Sequence, residues 1–135
     1  MPIATTEQYH QMLDNAKKGK FAYPAINVVN LEGINAACQA FSELNTDGMI
    51  QFSTGGGAHA VGGIDSAKGA IVLAEATHRI AAEHNILVVL HTDHCIPEKV
   101  DSFMIPLIEE SERRVANGQL PLFNSHMFDG SSLTL

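Results

Sequence analysis

Apolar and polar positions along the chain follow two periods, and the switches between them mark the elements. Tyr9, Met12, Leu13 and Ala16 recur at helical spacing after Thr5-Thr6-Glu7-Gln8, where Gln8 stands three residues beyond Thr5 as in a capping box. That spacing predicts a helix closing near Gly19. Residues 21–29 read as a strand, with Pro24 near its start where a missing N–H matters least. Ile34, Ala37, Cys38, Phe41 and Leu44 form a second helical stripe, and residues 49–53 a short strand running into Thr54-Gly55-Gly56-Gly57.

A Gly- and His-containing loop is expected next, then a third apolar face of Ala70, Leu73, Ala74, Thr77 and Ala81. Residues 86–90 are the most continuous apolar run and predict a strand buried on both faces. Pro97-Glu98 suits the first turn of a helix whose stripe is Val100, Phe103, Met104, Leu107, Ile108 and Val115. Pro106 lies inside that stripe and should kink or split the helix. Asn117-Gly118 ends it, and residues 122–128 read as the fourth strand.

Strands separated by helices indicate parallel β/α repetition. An open doubly wound sheet and a β/α barrel both produce this pattern. A barrel takes eight units and typically about 250 residues, so 135 residues would supply roughly half. The expected fold class is therefore α/β, with about four β/α units. Residues 1–135 are expected to form a single incomplete domain, since the sequence stops just after the fourth strand-like segment.

Composition narrows the function classes. Apolar residues make up 45% and charged residues 17%, a globular rather than a disordered balance. A net charge of −7 provides no basic footprint, so neither nucleic acid nor an anionic membrane is expected as a partner. Cys38 and Cys95 lie far apart with no framework spacing. Residues 1–5 show no basic region leading into an apolar core, and no apolar run approaches membrane-spanning length. A reducing cytoplasm is the expected compartment.

The chemistry concentrates where the third apolar run ends, in Leu90-His91-Thr92-Asp93-His94-Cys95. Along an extended strand His91 and Asp93 share a face, and His94 joins them only if the strand turns into loop there. Imidazole suits zinc and an adjacent carboxylate can handle protons. Spacing alone supports equally a strand-end cluster that caps a helix. Asn27, Ser53 and the segment Ser125-His126-Met127-Phe128-Asp129 end the other three strands in the same way. In a barrel those ends would converge on one face, although each residue alone is also a common turn former. Gly55-Gly56-Gly57 and Gly62-Gly63 match neither a Walker A loop nor a dinucleotide fingerprint, and a flexible loop is the favoured reading over a phosphate cradle. Cys95 reads as a buried thiol rather than a ligand. His59, His78 and His84 read as loop and helix-surface residues.

Pro24-Ala25-Ile26-Asn27, Gln51-Phe52-Ser53-Thr54-Gly55-Gly56, Leu90-His91-Thr92-Asp93-His94-Cys95 and Pro121-Leu122-Phe123-Asn124-Ser125-His126-Met127-Phe128-Asp129 together resemble class II, zinc-dependent fructose-bisphosphate aldolase. The resemblance runs from end to end in the family's order. It implies the N-terminal half of a (β/α)8 TIM barrel, usually dimeric or larger. It also implies reversible cleavage of a sugar phosphate, fructose 1,6-bisphosphate, to dihydroxyacetone phosphate and glyceraldehyde 3-phosphate. By this resemblance His94 is a ligand of the catalytic zinc, and Asp93 exchanges the proton of the aldol hydroxyl. Ser53 resembles a substrate-contacting serine and Asn27 a neighbouring active-site asparagine. Asp129 resembles a ligand at a second divalent-metal position. His91 is expected to orient the site rather than bind the same metal. The resemblance places the other two zinc histidines, a second-site glutamate and the main phosphate-binding loops in a C-terminal half outside this sequence. Tagatose-bisphosphate aldolase shares the architecture, and a non-catalytic half-barrel that pairs with another chain is the reading from a different class.

Overall fold

In the computed structural model, which describes residues 3–134, helix α1 (Thr6–Gly19) starts at the expected capping box. Thr5 Oγ1 accepts from the Gln8 backbone N–H at 3.2 Å, and Gln8 Oε1 accepts from the Thr5 N–H at 2.9 Å. These bonds satisfy donors that a helix start otherwise leaves open. Met1, Pro2 and Leu135 lie outside the described residues, so readings that fall on them have no structural counterpart.

The chain then runs β1 (Ala25–Asn27), α2 (Leu31–Glu43), β2 (Gly48–Phe52), α3 (Thr54–Ala60), α4 (Ser66–Ala81), β3 (Val88–Cys95), α5 (Ile105–Ala116) and β4 (Ser125–Phe128). All four strands are parallel, in sequential order β1-β2-β3-β4. Ile34, Phe41, Leu73, Phe103 and Leu107, from α2, α4, α5 and the turn before α5, pack in one core with Ile50, Phe52, Val88 and Leu90 of the sheet. The crossovers therefore lie on one face. A doubly wound sheet carries helices on both faces, whereas a barrel carries them only outside. The structure settles that choice in favour of part of a (β/α)8 barrel.

The other face of the sheet is the lumen side, and α1 stops it. Met12 is buried there with Ala4 and Val89, and Tyr9, Tyr23, Met49 and Leu87 pack around them. Residues just before α1 also enter the sheet: Ile3 bridges Val88 in parallel, and the Ala4 N–H donates to the Val88 carbonyl at 3.0 Å. The Asn124 side chain fastens this arm. Its Oδ1 accepts from the Leu90 N–H at 2.8 Å, and its Nδ2 donates to the Ala4 carbonyl at 2.8 Å.

Several elements depart from the sequence expectation, each for a local reason. The strand expected over residues 21–29 pairs only at Ala25–Asn27; Pro24, with no N–H to give, limits its start, and its carbonyl accepts from the Met49 N–H at 2.9 Å. The third strand runs beyond residue 90 to Cys95, since β2 and β4 pair its two edges in turn. The fourth begins at Ser125; Leu122 and Phe123 are buried as loop, with both backbone N–H groups donating to Ser111 Oγ. Leu44 leaves the helical stripe and is 74% exposed. Pro106 splits its helix as expected: a 3₁₀ turn (Pro97–Lys99) and a π turn (Val100–Met104) precede α5.

The largest departure is α3, where a flexible loop was expected. Ser53 Oγ accepts from the Gly56 N–H at 3.0 Å and caps the helix. Its glycines serve close approach: a Cβ on Gly57 would strike the Ser66 carbonyl, and one on Gly69 the Gly57 carbonyl. Helices α3 and α4 thus meet backbone to backbone. Gly69→Ala is expected to lower stability by about 1–3 kcal/mol or more through overpacking. Val72→Ala, on the exposed side of α4, should stay within about 0.5 kcal/mol. Equal denaturation midpoints for Gly69→Ala and the unaltered chain would refute the interlock.

Candidate active site

Because the strands are parallel, their C-terminal ends share one rim, and Asn27, Ser53, Asp93, His94 and Asp129 all fall on it. Strict alternation would turn His94 away from Asp93. A β-bulge resolves this. Thr92 pairs with His126 and Cys95 with Phe128, so three steps on β3 oppose two on β4. The extra residue lets Asp93 and His94 both reach the rim, while Cys95 returns to the buried core as expected.

Four of the five candidate residues meet. Asn27 Nδ2 donates to Asp93 Oδ2 at 3.0 Å. The His94 ring spans two carboxylates, with Nδ1 3.1 Å from Asp129 Oδ2 and Nε2 3.6 Å from Asp93 Oδ1. Ser53 stands on the same rim, but its hydroxyl oxygen is committed to the α3 cap rather than to this cluster. Burial works to raise the Asp93 pKa. The Asn27 amide, the His94 N–H and the neighbouring His94 and His91 rings outweigh it and hold the carboxyl below its ordinary value. Asp129 is lowered as well, by Ser131 first and His94 second.

The donor set suits a divalent ion in kind: an imidazole nitrogen flanked by carboxylate oxygens. In number it falls short. Among the described residues no group of three or more His, Cys, Asp or Glu is arranged to hold a metal. These residues fit as one sector of a coordination shell. Three surface cavities of about 500, 410 and 390 Å³ lie elsewhere, and none of the three is lined by Asn27, Ser53, Asp93, His94 or Asp129.

Spacing pointed less clearly to three other polar contacts. His91 Nδ1 lies 2.8 Å from Ser125 Oγ, across the β3–β4 ladder on the lumen side. On the outer side Thr92 Oγ1 lies 2.9 Å from His126 Nδ1, and the His126 ring tilts against Phe123 at 5.3 Å. Strand alternation would have found both pairs once the β3–β4 register was known. His78 is half-buried on α4 rather than free on its surface: its Nε2–H donates to the Leu122 carbonyl at 3.1 Å, and Arg114 approaches its Nδ1 at 3.4 Å. Burial lowers its pKa first, with Arg114 adding to the effect.

No helix among the described residues is long and apolar enough to cross a membrane. A family model described as fructose-bisphosphate aldolase class-II matches residues 7–135. Fructose-bisphosphate aldolase of Streptomyces coelicolor is 52% identical over 138 residues, covering 100% of this chain and 40% of that protein. The Mycobacterium leprae protein of the same name is 52% identical over 137 residues, with the same coverage. A crystal structure of fructose-bisphosphate aldolase from Campylobacter jejuni superposes with a TM-score of 0.89 at 34% identity, covering 98% of this chain and 38% of that one. The chain thus spans about 40% of the length of the curated relatives it matches.

His126 makes the rim's supporting strands acid-sensitive. Burial, then the nearby His91, pushes its pKa from 6.5 down to about 4. Between those values the unfolded chain binds a proton that the folded chain refuses. Stability is therefore full above about pH 6.5 and lost as pH falls toward about 4. Thermal midpoints taken across that window should fall with acidification, and His126→Gln should flatten the slope. An unchanged slope in His126→Gln would assign the acid sensitivity elsewhere.

Proposed function

Because the chain belongs to the class II fructose-bisphosphate aldolase family, we propose that it carries the N-terminal part of a zinc-dependent enzyme that reversibly cleaves fructose 1,6-bisphosphate. The products are dihydroxyacetone phosphate and glyceraldehyde 3-phosphate, a carbon–carbon lyase reaction of glycolysis and gluconeogenesis. The observation that carries this reading is the fastening of Asp93 to Asn27 beside a histidine shared with Asp129.

Asp93 accepts the aldol hydroxyl proton during cleavage and returns it during condensation. Asn27 occupies Asp93 Oδ2, which fixes the carboxylate and leaves Oδ1 for that proton. The carboxyl is held below its ordinary value, so Asp93 is present as the carboxylate, the form that accepts a proton. His94 belongs to the catalytic zinc and Asp129 to a second divalent-metal position. Zinc, when bound, supplies a Lewis acid for the negative charge that develops on substrate oxygen. Ser53 contacts the sugar phosphate: its oxygen is held by the Gly56 N–H, so its own proton is free to donate. The working assembly is a homodimer or larger in the cytoplasm, and its partner is the small sugar phosphate rather than nucleic acid or membrane.

Cleavage of fructose 1,6-bisphosphate by the intact zinc-loaded protein, abolished by chelation, is the expected result. Zinc-loaded protein that leaves the sugar intact would overturn the reading, and faster turnover of tagatose 1,6-bisphosphate would reassign the substrate. Asp93→Ala is expected to keep most of its zinc and lose turnover by roughly 10²–10⁴-fold. His94→Ala is expected to lose the metal itself, read by elemental analysis. Normal turnover in Asp93→Ala would remove that residue from the mechanism.

A further inference from the structure

On the lumen side of β3, His91 stands one pleat below Asp93, and Val89 one pleat below His91. Val89 belongs to the apolar plug with Met12, Tyr9, Tyr23, Met49 and Leu87. His91 therefore occupies the layer where the lumen changes from apolar to reactive. Its Nδ1 lies 2.8 Å from Ser125 Oγ, and Ser125 Oγ lies 3.4 Å from the Tyr9 hydroxyl. Three elements meet here, β3, β4 and α1, with Tyr9 and Ser125 separated by 116 residues.

The contacts have a preferred direction. Ser125 has one proton to give. A phenol donates better than an aliphatic hydroxyl and, with its lone pair drawn into the ring, accepts less well. Tyr9 therefore donates to Ser125, and Ser125 donates to His91 Nδ1. A neutral imidazole that accepts at Nδ1 carries its proton on Nε2. Burial favours the neutral ring, since it pushes the His91 pKa down against the pull of Asp93. The opposite order would turn an Nε2 lone pair toward the lumen that holds the Asp93 carboxylate, a repulsive arrangement. Nε2 makes no hydrogen bond among the described residues, so its proton remains available in the lumen.

We propose that Tyr9, Ser125 and His91 form a one-way donor relay that fixes His91 as the Nε2–H tautomer one pleat below Asp93, making His91 a positioning residue whose Nε2–H is presented to the lumen beneath the reacting groups. The proposal rests on the reading of Asp93 as the proton-exchanging group. It gives α1 a task beyond closing the lumen, because Tyr9 sets the direction of the relay from its base. It also explains why a polar layer is tolerated directly above Val89: the Nδ1 and hydroxyl groups there are paired with one another.

Long-range 1H–15N spectra of the intact protein near neutral pH should show His91 as the Nε2–H tautomer. Ser125→Ala should convert it to a tautomer mixture. Tyr9→Phe, which keeps the ring and its packing, should move it in the same direction by less, and reports even where Ser125→Ala fails to fold. An Nδ1–H tautomer in the unaltered protein, or a His91 signal indifferent to both substitutions, would overturn the relay. In turnover, Ser125→Ala should lower kcat by roughly 10–100-fold with little change in KM. His91→Gln, whose amide N–H can stand in for Nε2–H, should retain more activity than His91→Leu. Equal losses in that pair, or a loss confined to KM, would count against positioning. The spectra need no turnover. An inert unaltered protein with the expected tautomer response would sink the aldolase reading and leave the relay intact.

Discussion

Everything at the rim depends on β3 being hydrogen-bonded along both edges. β2 pairs one edge from Val88 to Thr92, and β4 pairs the other from His91 to Cys95. Below the start of β4, the second edge is taken by Ile3 and Ala4, with the Asn124 side chain joining the two pieces. A strand carrying His91, Asp93 and His94 exposes costly backbone groups unless both edges are satisfied. With them satisfied, the polar side chains are displayed without loss of the ladder. The bulge beside Thr92 then sets how many of them face the rim.

Viewed along the lumen, the side chains change character in steps. The base is apolar, built from Met12, Met49 and Val89. Above it lies the pair His91–Ser125, and above that Asp93 with Asn27. Each polar layer is anchored by a bond between neighbouring strands or across the sheet. A carboxylate held in this way loses little orientation to thermal motion, the condition under which proton exchange at a fixed substrate atom is effective.

Local signals were legible in the sequence and long-range ones were not. The Thr5–Gln8 capping box, the Ala70–Ala81 stripe and the break at Pro106 each depend on residues a few positions apart, and all appear in the structure. The α3 glycines resemble a loop in sequence because the close approach of Gly57 to Gly69 lies between two helices, which no local pattern encodes. Leu122 and Phe123 look like strand residues, yet they bury their side chains while Ser111 takes up their N–H groups. The candidate residues were found through strand ends and family motifs. Their pairings, Asn27 with Asp93 and His94 with Asp129, required the sheet order and the bulge. Ser53 was identified by motif, but its capping of α3 emerged only with the helix itself.

The Ala4–Asn124 bond joins positions 120 residues apart, and that separation orders events during synthesis. A nascent chain can form α1 and the first two strands early, since their contacts are short in sequence. The arm before α1 lacks the side chain that fastens it to the sheet until Asn124 has been made and has cleared the ribosome. Until then the edge of β3 that β4 will take stands open through the growth of α5. Long-range closure of this kind is slow and leaves an interval for mispairing. Ile3 and Ala4 are thus fastened among the last, although they are made before every strand they join.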